Sequence, residues 1–351
     1  MRIALTADLH LTTREEHPER YEALEDIFQQ MLTHDVCTLV IAGDLFQSRQ
    51  ANLSDFDMLC SSVGKQGISV LILPGNHDQE LHDRRFVAEN VQVMHTPRVQ
   101  PLSEGGPAFL FVPFQHQSMG EAIAPFADQL AKGEWILVSH GDFVQTMRAP
   151  NPLEPGIYMP LTERDLQEFR PRQTFLGHIH MPVDEGRFHY MGSPCSLDPT
   201  ETGRRRFLIY DTASDQVESC MIRTGVIFFL VDLLCLPGSD EVERLKQGAA
   251  RVIESWALTT EEQPRVRVRI RIRGYSMDPR RIYREIKKAF KEFALDKDPD
   301  LSALSFTEDP DRSRIFDQVK ARVEEMDWPV GADEPDPSDI LEAALKTIYG
   351  D

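Results

Sequence analysis

Five short polar motifs stand out along the first 180 residues: Asp8-Leu9-His10, Gly43-Asp44, Gly75-Asn76-His77-Asp78, His140-Gly141-Asp142 and Gly177-His178-Ile179-His180. Carboxylates, an amide oxygen and imidazoles together form a donor set for borderline-to-hard divalent ions such as manganese, iron or zinc, not for a soft thiolate site. Taken singly, each motif is weak. An Asp-x-His or His-x-His pair is more often loop polarity or a structural histidine, and a Gly-Asp dipeptide is ordinary turn chemistry. Their joint recurrence carries the metal reading, because each follows a short apolar run and four of the five bring a glycine for a tight loop around an ion. The other histidines (His17, His34, His82, His95, His116 and His189) have no such setting and are read as background.

The apolar runs before the motifs read as strands over 2–6, 37–41, 68–73, 135–138 and 174–176, several bounded by Gly or Pro. Each strand therefore delivers its donors just past its carboxyl end, where open α/β sheets form their sites. Between the first two lies a helical pattern from Pro18 to His34, with Tyr21, Leu24, Ile27, Phe28, Met31 and Leu32 at helical spacing and Pro18 in the first turn. From Arg187 to Thr224 the texture changes to hairpins. Alternation followed by a meander predicts α/β layers built around two sheets.

A second region reads as strand 226–236, helix 240–256, strand 265–273, helix 279–294 and strand 301–306. Its middle strand is an alternation in which Arg265, Arg267, Arg269, Arg271 and Arg273 share one face, successive ones ~6–7 Å apart. The helix after it adds basic residues, so that 265–291 holds eleven basic side chains against two acidic ones, Asp278 and Glu285. Such a stripe can neutralise phosphates despite a formal net charge of −19 for the whole chain. The plainer alternative is a solvated sheet face whose arginines pair with nearby carboxylates. The acidic tail carries two amphipathic helices, about 313–326 and 338–349, with Leu341, Leu345 and Tyr349 on one side of the second. Faces of this kind pack on the chain's own core or dock on a partner helix.

At 351 residues, with 41% hydrophobic and 27% charged side chains, the composition is that of a globular chain and excludes collagenous, mostly disordered and disulfide-scaffold classes. The most apolar run, Val226 to Leu236, contains Asp232 and falls well short of the ~20 residues of a spanning helix. The N-terminus lacks the apolar core of a signal peptide. The five cysteines are scattered, with no Cys-x-x-Cys pair. They are expected to be reduced, in a cytoplasmic protein without membrane partners.

The order of the motifs (Asp-x-His, Gly-Asp, Gly-Asn-His-Asp, His, Gly-His-x-His) resembles the signature of the calcineurin-like metallophosphoesterases. That resemblance implies an α/β fold, a double β-sandwich flanked by helices, over residues 1–224. It implies two divalent ions, most readily Mn²⁺, with Mg²⁺, Fe²⁺ or Zn²⁺ as alternatives. Asp8, His10, Asp44 and His180 would hold one; Asp44, Asn76, His140 and His178 would hold the other. Asp44 would bridge them, in keeping with the shared anion that two cations ~3.5–4 Å apart require. His77 would act on the transition state or the leaving oxygen, with Asp78 beside it. Ala42-Gly43-Asp44-Leu45-Phe46 and Tyr190-Met191-Gly192-Ser193-Pro194 resemble the SbcD-type nucleases of double-strand-break repair, as does the layout of nuclease domain, α/β capping domain (225–308) and helical tail (309–351). The resemblance implies DNA as substrate, an SbcC-type SMC-like ATPase docked on the tail, and room for a homodimer. One position departs: those nucleases usually have histidine where this chain has Gln47, which cannot carry a proton at neutral pH. This departure weighs against robust exonuclease activity and keeps a metal-binding scaffold protein open as a rival; the rival among enzymes is a small-nucleotide or phosphoprotein phosphoesterase.

Overall fold

A computed structural model describes residues 1–48, 53–144, 156–307, 310–326 and 337–349. They fall into two compact units, Met1–Val226 and Ile227–Asp351. The first unit opens with β1 (Arg2–Thr6), α1 (Pro18–Thr33), β2 (Thr38–Ala42), α2 (Ser54–Gly64), β3 (Ser69–Leu73) and β4 (Val91–Val93). It continues with β5 (Arg98–Pro101), β6 (Ala108–Val112), α3 (Met119–Ile123), β7 (Ile136–His140), the short pair β8 (Phe143–Val144) and β9 (Leu161–Thr162), and α4 (Glu163–Phe169). The last strands are β10 (Gln173–Gly177), β11 (Val183–Glu185), β12 (Phe188–Tyr190), β13 (Arg206–Asp211) and β14 (Gln216–Met221).

These strands make two six-stranded sheets, ordered β14-β13-β1-β2-β3-β4 and β11-β12-β10-β7-β6-β5. Central strands are parallel and apolar on both faces, as burial from both sides demands. One face of each sheet meets the other sheet through Leu5, Val40, Leu73, Phe111, Val138, Phe175 and Tyr210. The opposite face of the first sheet is covered by α1 and α2 through Leu24, Phe28, Met31, Phe56 and Cys60. That of the second is covered around α3 and α4 through Met119, Ile123, Leu161 and Leu166. The result is a helix–sheet–sheet–helix double sandwich.

Several elements exceed what the pattern suggested. Helix α2 buries only Phe56, Cys60 and Val63 among serines and aspartates, so its stripe is thin. Strands β4 to β6 are three to five residues long between turns, too short for periodicity to register. Strands β2, β7 and β10 also run one or two residues past the apolar run: β7 includes His140 itself.

The second unit contains β15 (Ile227–Cys235), α5 (Glu241–Ser255), β16 (Val266–Ser276), α6 (Pro279–Ala289), β17 (Ala294–Leu295), β18 (Asp300–Phe306), α7 (Pro310–Glu324) and α8 (Pro337–Tyr349). Strand β16 is central, parallel to β15 on one side and to β17 and β18 on the other. Val266, Val268, Ile270 and Ile272 pack on the helices, which turns Arg267, Arg269, Arg271 and Arg273 to the other face. Arg265 does not join them. Pro264 sits in a short 3₁₀ turn, Gln263–Arg265, and the strand begins one residue later. Arg269 is held by Asp296 (2.9 Å from Nε) and Arg273 by Asp232 (2.7 Å) and by Glu342 of α8. Arg267 and Arg271 are exposed. Helix α8 lies against the end of this arginine face: Tyr349 stacks on Tyr275 at 4.7 Å, and Leu345 and Phe316 are buried with Leu234 beside them. The apolar sides of the two tail helices thus close largely on their own unit, while Ile315 remains 51% exposed.

Phe175 is fully buried between the two sheets. Phe175→Ala is expected to cost about 3–5 kcal/mol, read from urea denaturation.

Candidate metal centre

The parallel register aligns the strand ends. Thr6 pairs with Ile41, Ala42 with Leu73, and Gly177 with His140. Beyond the strands, backbone bonds continue the pairing: Asp8 N–H donates to Gly43 O at 3.1 Å, His10 N–H to Asp44 O at 2.9 Å, and Leu11 N–H to Leu45 O at 2.8 Å. The loops after β1 and β2 are therefore tied together before any side chain is considered. Asp8, His10, Asp44 and His178 all have left-handed φ, at 53°, 47°, 48° and 92°. Each such residue costs about 1–3 kcal/mol and persists only where its surroundings enforce it. Two glycines complete the cradle. A Cβ on Gly43 (φ +94°) would lie 1.9 Å from His140 Nδ1, and one on Gly75 would lie 2.1 Å from Asp44 Oδ1.

The structure brings together all seven ligand candidates. In one group, donor atoms of Asp8, His10 and His180 lie within 4.8 Å of one another; in another, so do those of Asp44, His140 and His178. Asp44 reaches both sides: its Oδ2 is 3.7 Å from His10 Nε2 and 3.3 Å from His140 Nε2. Asn76 Oδ1 is 2.9 Å from the same His140 nitrogen. His140 Nδ1 donates to Ala42 O at 3.0 Å, so Nε2 is the nitrogen turned toward Asp44 and Asn76. Asp8 accepts the His178 backbone N–H at 2.9 Å. His77 also faces the centre, its backbone N–H donating to Asp44 Oδ1 at 2.9 Å and its ring edge-on to His10 at 4.7 Å.

Asp78 and Gln47 act through backbone contacts. Asp78 is buried and accepts from Gly75 N–H at 2.7 Å and Phe46 N–H at 3.1 Å, which fastens the Gly-Asn-His-Asp loop to the loop after β2. The imidazole Nδ1 of His77 meets the carbonyl oxygen of Gln47 at 3.0 Å, while the Gln47 side chain is exposed. The contact between Gln47 and His77 thus comes from the main chain.

Electrostatics show what the site lacks. Burial opposes charge on Asp44, but His140, its hydrogen bond and His10 outweigh that and hold the carboxyl well below its usual range. Burial opposes a charge on His140 as well, and Asp44 outweighs it, holding the imidazole well above its ordinary value. His10, further from such help, is pushed down to about 3 by burial. Its Nδ1 is buried with no hydrogen-bond partner among the described residues, and its Nε2 faces His180 Nε2 at 3.2 Å, nitrogen against nitrogen. Buried carboxylates and lone pairs converging in this way fit divalent cations, whose charge would satisfy them.

Two further residues support the ligands, one from within a sequence motif and one from outside any. Glu201 accepts from His180 Nδ1 at 2.6 Å and is held by Arg205 (3.0 Å), Ser193 (3.1 Å) and the Leu197 N–H (2.9 Å). This orients His180 with Nε2 inward. Asp142 Oδ2 lies 3.6 Å from His178 Nε2 and accepts the Tyr158 N–H at 2.8 Å. Asp142 belongs to the His140-Gly141-Asp142 motif, whereas nothing around Glu201 marks it.

The family model of the calcineurin-like phosphoesterases matches residues 1–210. The chain belongs to that family. As a member it is a hydrolase of a divalent-metal-dependent class, with the double-sandwich α/β fold described above. Within the family it is similar to the SbcD component of the nuclease SbcCD of Escherichia coli (strain K12), 24% identical over 75% of this chain and 76% of that protein. It is also similar to the "DNA double-strand break repair protein Mre11" of Haloferax volcanii, 26% identical over 93% of this chain and 74% of that one. Among the described residues of this phosphoesterase, no helix is long and apolar enough to cross a membrane, and all five cysteines are free.

Because Glu201 backs His180, Glu201→Ala should weaken divalent-ion affinity by ~10–100-fold, with Glu201→Gln in between, as measured by chelator competition.

Proposed function

We propose that this phosphoesterase is a two-metal phosphodiesterase that cleaves DNA, as the nuclease component of a complex with an SbcC-type SMC-like ATPase. The observation that carries it is Asp44, one buried carboxylate within reach of two separate imidazole groups. Asp8, His10, Asp44 and His180 hold one ion; Asp44, Asn76, His140 and His178 hold the other. The mixture of oxygen and imidazole donors suits Mn²⁺. When bound, such a pair supplies Lewis-acid stabilisation to the phosphoryl oxygens of the substrate.

The chain's own groups do the rest. Asp44 keeps the two donor groups adjacent and neutralises part of their charge. His77 Nδ1 donates to Gln47 O, so the proton given to a phosphoryl oxygen or to the leaving oxygen would be the Nε2 proton of its imidazolium form. Gln47, placed as it is, does not deprive His77 of its anchor, so nuclease chemistry is favoured over the scaffold role. The names of the two relatives, a nuclease component and a break-repair protein, support DNA as substrate and a repair setting. Arg267 and Arg271 are the exposed arginines of the stripe, turned to meet a DNA backbone; Arg269 and Arg273 are occupied by carboxylates. That occupation favours, as a second reading, a small-nucleotide or phosphoprotein phosphoesterase. The partner ATPase would meet what the tail helices leave uncovered, including Ile315. Cysteines kept as free thiols are in keeping with a cytoplasmic setting.

Metal analysis of the loaded protein should give two ions per chain, and Asp44→Ala should lose both along with activity. One ion with full activity would refute the two-metal account. His77→Ala should keep both ions and lower turnover by ~10²–10⁴, read under single-turnover conditions. Replacing Arg267 and Arg271 together by glutamate should weaken duplex binding regardless of sequence and flatten the slope of log K against log [salt] by about two. An unchanged slope favours the small-substrate reading.

A further inference from the structure

A second group of side chains with metal-donor atoms lies on the helix-covered face of the first sheet. His34 caps the C-terminal end of α1, and Glu218 and Cys220 stand two residues apart on the edge strand β14. That spacing puts both strand side chains on one face, and Cys220 packs in the apolar layer beneath α1. One donor atom from each of the three residues lies within 4.8 Å of the others. Arg2 braces the group, donating to His34 O at 3.2 Å and to Glu218 Oε2 at 2.8 Å. The other carboxylate oxygen of Glu218 is left over. Neither the His34 ring nor the Cys220 thiol has a hydrogen-bond partner among the described residues. The end of α1 adds partial negative charge, with no basic side chain in its last turn. His34 is half-buried and Glu218 exposed, so an ion can reach the group from solvent. The donor set differs from that of the metal centre in its sulfur. Thiol, imidazole and carboxylate together select Zn²⁺ over Mn²⁺ or Mg²⁺. Zinc bonds of ~2.0–2.3 Å set tetrahedral donors ~3.3–3.6 Å apart, so the three side chains need close by only about an ångström.

We propose that His34, Glu218 and Cys220 bind a zinc ion that clasps the end of α1 to the edge strand β14. The ion takes a ring nitrogen of His34, a carboxylate oxygen of Glu218 and the Cys220 sulfur, with water in the fourth position. As the zinc–sulfur bond forms, the thiol proton leaves to solvent. Its role is structural. Among the described residues β14 has one strand neighbour, β13, and the ion gives this edge a second attachment. The site stands apart from catalysis: Arg2 opens β1, whereas the metal centre begins past Thr6, the last residue of that strand. It does not depend on which phosphoester the enzyme cleaves. Nothing in the sequence announces it, because α1 and β14 come from opposite ends of the first unit.

The test uses the full chain, kept reduced without added thiol, with excess Mn²⁺ to fill the metal centre and Co²⁺ as a coloured substitute for Zn²⁺. Cobalt on a thiolate gives a sulfur-to-metal charge-transfer band in the near ultraviolet, which nitrogen and oxygen ligands alone do not give. Wild-type protein should develop this band at micromolar Co²⁺, with about one further ion per chain, and equimolar Zn²⁺ should abolish it. Cys220→Ser should lose the band. His34→Ala should weaken Co²⁺ binding by at least the ~10-fold that loss of a mere supporting partner costs. Hydrolysis of a small chromogenic phosphodiester with Mn²⁺ should be the same in both variants as in the wild type, and circular dichroism checks their folding. Absence of the band from the wild type overturns the proposal without any variant. So does a band that needs millimolar Co²⁺, which marks an adventitious ion only. A band that survives in Cys220→Ser belongs to another thiol and overturns it equally. If Cys220→Ser does not fold, His34→Ala and Glu218→Gln carry the test, and unchanged Co²⁺ affinity in both overturns the site.

Discussion

Two carboxylates out of water, Asp8 and Asp44, set the terms for the rest of the first unit. Each is essentially inaccessible to solvent, and a buried carboxylate without a counter-charge is among the costliest groups a fold can hold. The surroundings answer only in part. His140 is drawn toward its charged form by Asp44, while His10 is held neutral by burial. What remains is a demand for positive charge at a place where imidazole lone pairs already point. The strand register, the left-handed residues and the glycines of the loops all serve to keep that demand concentrated in one place.

The same concentration explains why the scaffold is built as it is. Four residues in left-handed conformations and several close backbone approaches are destabilising on their own. They are tolerated because the loops are pinned twice, by main-chain bonds between residues 8–11 and 43–47 and by Asp78, which accepts from both the Gly75 and Phe46 amides. Behind them are three layers of apolar packing. The sandwich supplies the stability, and the strand ends carry the strain.

The sequence made the centre legible where chemistry and strand ends coincide. Asp8, Asp44, Asn76 and His178 each lie within a few residues of the end of an apolar run, so residue type and position agreed. Long apolar elements such as α1 and β15 were visible for the same reason. Glu201 was not, because it reaches His180 from a turn whose composition resembles any other polar loop. The fate of the arginines was hidden too. Alternation in β16 fixes which face they share, but Asp296, Asp232 and Glu342 arrive from 27, 41 and 69 residues away, and no local pattern reveals those pairings. Arg265 shows the converse limit: the alternation continues through it, and a turn shaped by Pro264 ends the strand first.

The contact between His77 and the main-chain oxygen of Gln47 has a consequence for how such chains drift. A side chain that faces solvent while its carbonyl does the holding can be exchanged without disturbing what is held. Position 47 is therefore decoupled: its letter in the sequence and its service to the neighbouring imidazole vary independently. A substitution in that slot changes what meets the solvent and keeps the main-chain oxygen that meets His77.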